Sequence, residues 1–166
     1  MMLHAGLLAI HTPQSHRGGG WRGALIEGPS GVGKSDFALR ALAEGFRLVA
    51  DDRALVWACD GILYGRAPET LLGLIEARGL GIAREPVLPY CRIVLAVRCE
   101  PPERMAQTAF ADYAGLSIPV ISLLPLEPSA PAKLRRALQH LGGGAEGAYL
   151  GGLAAGVSPQ PGGDSR

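Results

Sequence analysis

The stretch Gly28-Pro29-Ser30-Gly31-Val32-Gly33-Lys34-Ser35 matches the phosphate-loop pattern G-x-x-x-x-G-K-[ST]. Glycines at such positions let backbone N–H groups turn inward around phosphates, and a helix opening behind them adds partial positive charge. Gly28 through Ser35 are therefore the candidate residues for binding a nucleoside triphosphate, with Lys34 reaching the β- and γ-phosphates and the Ser35 hydroxyl available to Mg²⁺. A second group follows in LVADD (Leu48–Asp52), an apolar run ending in two carboxylates. One helix and one turn separate Lys34 from Asp51, so this run should lie beside the loop. Next to Mg²⁺ and a γ-phosphate, one carboxylate could face the metal and the other take a hydroxyl proton. The plain alternative is a solvated Asp-Asp turn before a hairpin. A third group is LIEARGLGI (Leu74–Ile82). There Arg78 could orient a metal-binding Glu76 and the glycines would allow close backbone approach, unless the two charges form only a surface ion pair.

Those residues need elements to hold them. Leu3–Ile10 is short and apolar and reads as a strand, Pro13–Gly20 as a turn, and Ala24–Glu27 as a strand feeding the loop. Ser35–Gly45 has apolar residues at 37, 38, 41 and 42 and a glycine stop, the pattern of a helix. Phe46–Ala50 and Ala54–Cys59 read as strands. Asp60-Gly61 between Cys59 and Ile62 is a hairpin signal, so the chain should fold back after the aspartates instead of entering a crossover helix. Arg92–Val97 and Pro119–Leu124 read as buried strands and Lys133–Leu141 as a short helix. From Gly142 the chain is rich in Gly, Ala, Pro and Ser and reads as a disordered tail. The expected architecture is an α/β domain over 1–141 with a mixed sheet and packed helices, followed by a flexible segment over 142–166.

Bulk composition narrows the function classes. A length of 166 residues suits one domain with a real core. The net charge of +1 and an aromatic content of 5% give no electrostatic footprint or stacking platform for nucleic acid. Neither a signal peptide nor a membrane span is read at MMLHAGLLAIHTPQ. Cys59, Cys91 and Cys99 are widely spaced, so buried structural thiols in a reducing cytoplasm are expected, with no zinc site.

Taken together, GPSGVGKS, LVADDR at this spacing and IEARGLGI resemble the catalytic domain of HPr kinase/phosphorylase, as does LHAGLLAI with its His before an apolar strand. The likeness covers residues 3–83 with specific motifs and the region to about 140 more weakly. It implies a P-loop kinase-like fold of the HPr kinase and phosphoenolpyruvate carboxykinase kind. It also implies a cytoplasmic, ATP- and Mg²⁺-dependent serine kinase acting on the phosphocarrier HPr. In that likeness Asp51 is the general base, Asp52 a neighbouring carboxylate, Lys34 a phosphate ligand, and Ser35 and Glu76 metal contacts. His4 is implied to lie close to Asp51 and keep it ionised or oriented. His11, His16 and His140 match nothing and read as surface residues. No partner beyond HPr is implied, neither nucleic acid nor membrane, and a homo-oligomer stays open. Full-length relatives carry an N-terminal domain with no counterpart here, which resembles the short alphaproteobacterial form. The Pro-Gly-Arg-Asn segment tied to phosphorolysis is not visible in GLSIPVISLLPLEPSAPAKLRRAL, which argues against the reverse reaction. A small-molecule P-loop kinase and a non-catalytic ATP-binding regulator are the alternatives.

Overall fold

The computed structural model describes residues 1–12, 20–104 and 109–140. His16, most of the turn expected over Pro13–Gly20, and the tail expected over 142–166 lie outside these residues. Where one strand is expected over Leu3–Ile10 there are two, β1 (Met2–Leu3) and β2 (Ala5–Thr12). The break falls at His4 because the chain changes partner there. Leu3 pairs with Ala54 of β5 (Ala54–Cys59), whereas Ala5 pairs with Glu27 of β3 (Gly20–Glu27).

After β3 come α1 (Lys34–Ala43), β4 (Arg47–Ala50), β5, β6 (Ile62–Arg66), the pair β7 (Leu74–Ala77) and β8 (Gly81–Arg84), β9 (Cys91–Cys99), β10 (Ala109–Tyr113), β11 (Leu116–Leu123) and α2 (Ala130–His140). The β5–β6 hairpin forms as expected. Asp60 and Gly61 both take positive φ, 50° and 72°, the twist that matches paired strands. Helix α1 buries Phe37, Ala38 and Ala41 and stops at Gly45, whose φ of 90° lets Phe46 N–H return to the Ala41 carbonyl at 3.2 Å. Helix α2 starts at Ala130, before the expected Lys133, because Pro131 sits in its first turn, where no backbone N–H is needed.

The main sheet is mixed and curled, in the order β1-β5-β6-β9-β3-β2-β4. Strand β9 is its centre. Along one edge it pairs in parallel with β3. Its other edge is shared, with β6 antiparallel at Cys91–Ile93 and β11 parallel at Ala96–Cys99. The register with β3 slips between Gly23 and Ala24, so Val94 and Leu95 both join one core. That core lies under α1 and α2, with Leu8, Ile26, Phe37, Phe46 and Leu134 fully buried. The other lies inside the curl around Leu7, Leu25, Ile93 and Ile118. Successive residues of β2 and β3 feed opposite cores, as strand alternation requires. The parallel strands β3, β9 and β11 all end at one edge of the sheet, where ligands gather in α/β folds. No helix among the described residues is long and apolar enough to cross a membrane.

Candidate active site

The phosphate loop leaves β3 at Glu27 and enters α1 at Lys34. Each end of it is tight. A Cβ at Gly28 would lie 2.7 Å from Cys99 Cβ, so only glycine lets the loop rest on β9. Gly33 takes φ 105° as the N-cap of α1, and a Cβ there would meet Leu126 Cδ2 at 2.6 Å. Lys34 is 8% exposed, and its ammonium donates to the carbonyls of Gly28 at 2.8 Å and Pro29 at 3.0 Å. The cation is thus held against the loop whose bound phosphates it would neutralise.

Asp51 directly follows β4 and points inward. It is 7% exposed and accepts the Ser35 hydroxyl, 3.0 Å from each carboxylate oxygen, and the Glu76 N–H at 3.1 Å. Loop, carboxylate and β7 are locked together through that one side chain. Burial raises the Asp51 pKa above the ordinary aspartate value, and the neighbouring Asp52 charge adds to the rise. The Glu76 N–H and Ser35 hydroxyl oppose it.

Asp52 turns the other way. Its φ of 64° is the left-handed conformation, which carries its carboxylate out to the rim, where His4 Nε2 lies 2.6 Å from Oδ1. His4, expected close to Asp51, bonds the next residue, Asp52. The physical reason is local. The partner switch at His4 aims the imidazole outward, while Asp51 is already enclosed by Ser35 and Glu76. Arg53 Nε adds a looser contact to Asp52, at 3.9 Å.

Glu76 lies on β7 between the buried Ile75 and Ala77, and Arg78 opens the turn over 78–80 that leads to β8. No ion pair joins Glu76 to Arg78, so the surface pair weighed as the plain alternative is not formed. Both side chains are exposed and line one cavity of about 560 Å³ with Lys34, Ser35, Asp52 and Leu126. That volume is within the roughly 300–1,000 Å³ that small ligands fill. The oxygen donors Ser35, Asp51 and Glu76 are of the hard type that suits Mg²⁺. Among the described residues no cluster of three or more His, Cys, Asp and Glu could hold a metal by itself.

Sequence reading missed three supports. Leu126 lies over Gly33, and Arg40 of α1 donates to the carbonyls of Pro125 and Glu127 on either side of it, the second at 3.0 Å. Tyr113 donates its hydroxyl to Glu27 at 2.7 Å, just before the loop. None of these carries a local signal, because each joins residues far apart in the chain. The cysteines behave as expected for two of three. Cys91 and Cys99 are buried, with thiols pushed up to about 12 and about 11, while Cys59 is exposed. His11 and His140 are exposed.

With the site described, comparison with known proteins points one way. Residues 20–85 match the family described as "HPr Serine kinase C-terminal domain". The HPr kinase/phosphorylase of Streptococcus thermophilus is 56% identical over 61 residues, 36% of this chain and 20% of that one. The Clostridium perfringens enzyme of the same name is 50% identical over 60 residues, with the same shares. The solved structure of the Hpr(Ser) kinase/phosphatase from Coxiella burnetii superposes with a TM-score of 0.65 and 25% identity, covering 82% of this chain and 96% of that one. The likeness to HPr kinase/phosphorylase read from the motifs is thus found independently in sequence and fold. The chain spans about a fifth of the length of the curated relatives it matches.

Proposed function

We propose that this chain is an ATP-dependent serine kinase of the HPr kinase type, transferring the γ-phosphoryl group of ATP to a serine of the phosphocarrier HPr. One observation carries the reading. Ser35, Asp51 and the Glu76 backbone form a single hydrogen-bonded unit beside the phosphate loop, next to a cavity lined by Ser35, Glu76 and Asp52.

In this reading Gly28–Ser35 cradle the phosphates and Lys34 neutralises their charge. Ser35 and Glu76 hold Mg²⁺, which supplies further charge neutralisation on the transferring group when bound. Asp51 takes the acceptor proton, and its raised pKa suits that work. Asp52, held by His4, fixes the negative charge that helps raise Asp51, so His4 acts on the base through Asp52. The fold would be of the P-loop kinase and phosphoenolpyruvate carboxykinase kind, in one domain over 1–141 with a separate tail over 142–166. A cytoplasmic location belongs to the same reading, which leaves the oligomeric state open. The stretch that would carry the Pro-Gly-Arg-Asn segment is LLPLEPS here, which favours kinase over phosphorylase activity.

The test is incubation of the chain with purified HPr, radiolabelled ATP and Mg²⁺. Label on an HPr serine is expected, and its absence overturns the reading. Label on a sugar or nucleotide instead would make this a small-molecule kinase. ATP binding without transfer to any acceptor would make it a regulator.

A further inference from the structure

The reacting end of the cavity is fixed by Ser35, Asp51 and Glu76, which leaves open where the rest of the nucleotide lies. Helix periodicity divides the start of α1 into two faces. Ser35 and Leu39, four residues apart, face the aspartates and β7. Gly33, Asp36 and Arg40 face the turn between β11 and α2, and Arg40 Nε binds Asp36 at 2.9 Å while its other nitrogens hold the carbonyls of Pro125 and Glu127. Leu126, between those two carbonyls, is pressed onto Gly33 and is yet 65% exposed. A large apolar side chain is therefore pinned against the phosphate loop, with one surface lining the cavity and largely uncovered among the described residues.

We propose that Leu126 is the shelf on which the base and ribose of the bound nucleoside triphosphate rest. The polar groups beside it hold that shelf in place. Asp36 Oδ2 accepts from Arg40, the Leu124 carbonyl accepts the Glu127 N–H at 3.1 Å, and the Pro125 and Glu127 carbonyls accept from Arg40. An exposed apolar surface beside the loop gains by being covered, and a base face or ribose edge can cover it. This inference rests on the nucleotide-binding reading above and adds where the rest of the nucleotide lies.

The experiment is calorimetric titration of the full chain, in Mg²⁺, with ATP, GTP and inorganic tripolyphosphate, which has no base. The unaltered chain is expected to bind both nucleotides more tightly than tripolyphosphate, since only they reach Leu126. Leu126→Ala should weaken both by roughly tenfold, the order expected for losing burial of part of a leucine, and leave tripolyphosphate unchanged. Leu126→Met, which keeps the apolar surface, should restore both nucleotides. Unchanged ATP affinity in Leu126→Ala overturns the shelf, and so does a parallel loss of tripolyphosphate, which would mean that Leu126 acts only by shaping the loop. If the unaltered chain binds none of the three, the nucleotide-binding reading itself has failed, a result distinct from the others.

Discussion

At the floor of the cavity Asp51 is buried, with both oxygens engaged by Ser35 and one also by the Glu76 N–H. At the rim Asp52, the next residue, is turned outward by a left-handed backbone and shares its charge with His4 and Arg53. Two carboxylates of identical chemistry and adjacent position are thereby given different neighbours, and burial raises the pKa of Asp51 above the ordinary aspartate value. Environment, and not residue type, sets them apart. The floor is over-determined, since moving Asp51 disturbs the loop and β7 together. The rim hangs on one short contact between exposed groups, and exposed pairs contribute little to stability.

The largest effect that would sharpen this contrast is expected at the floor. Asp51→Asn should lower kcat for transfer to HPr by on the order of 10³-fold, as for loss of a general base, with the ATP dissociation constant little changed. A loss smaller than tenfold would break the assignment. Asp52→Asn should cost less, roughly tenfold, since it touches the base only through its charge. If it proved the more damaging of the two, the roles of floor and rim would be reversed.

The pH profile gives a subtler measure. Asp51 must be ionised to accept a proton and its pKa is raised, so the acidic limb of kcat/KM should lie above the ordinary aspartate value. Asp52 contributes to that rise, so Asp52→Asn should move the limb to lower pH; a limb that stays put would disconnect rim from floor.

The smallest expected effect is on stability, with a sign set by linkage. A raised folded-state pKa means the native state binds this proton more tightly than the unfolded chain. Stability from that source is therefore present at low pH and lost as pH rises through the folded pKa. Asp51→Asn should accordingly raise the melting temperature at pH 7, with the gain shrinking as pH falls towards the ordinary aspartate range. Asp52→Asn should leave it within about 0.5 kcal/mol of the parent, as exposed pairs usually do. Equal shifts in both variants would erase the distinction.

How far the chain could be read beforehand follows the same divide between local and distant causes. The phosphate loop, α1 and the Asp60-Gly61 hairpin were legible because glycine placement and helical spacing act within a few residues. The strand β10 and the β7–β8 pair were not. Leu74–Ala77 and Gly81–Arg84 are four residues each, and the first reads as strand only once β8 and α1 lie against it. The start of α2 was obscured by Pro128 and Pro131, which read as breakers although a first-turn proline is harmless. The pairing of His4 turned on the φ of Asp52 and on a change of partner strand, and neither leaves a mark in sequence. Leu126, Arg40 and Tyr113 escaped because each meets its partner across the fold.

The seat of the phosphate loop also bears on how the chain comes to be folded. Gly28 rests on Cys99, and β3 finds its parallel neighbour only in β9, made long after the loop itself. Translation delivers about 5–20 residues per second, and parallel pairing between distant segments is slow to close. The phosphate-loop motif is thus specified early in the message and seated late. A nascent chain halted before Cys99 would carry every motif of the site and have no floor on which to set it.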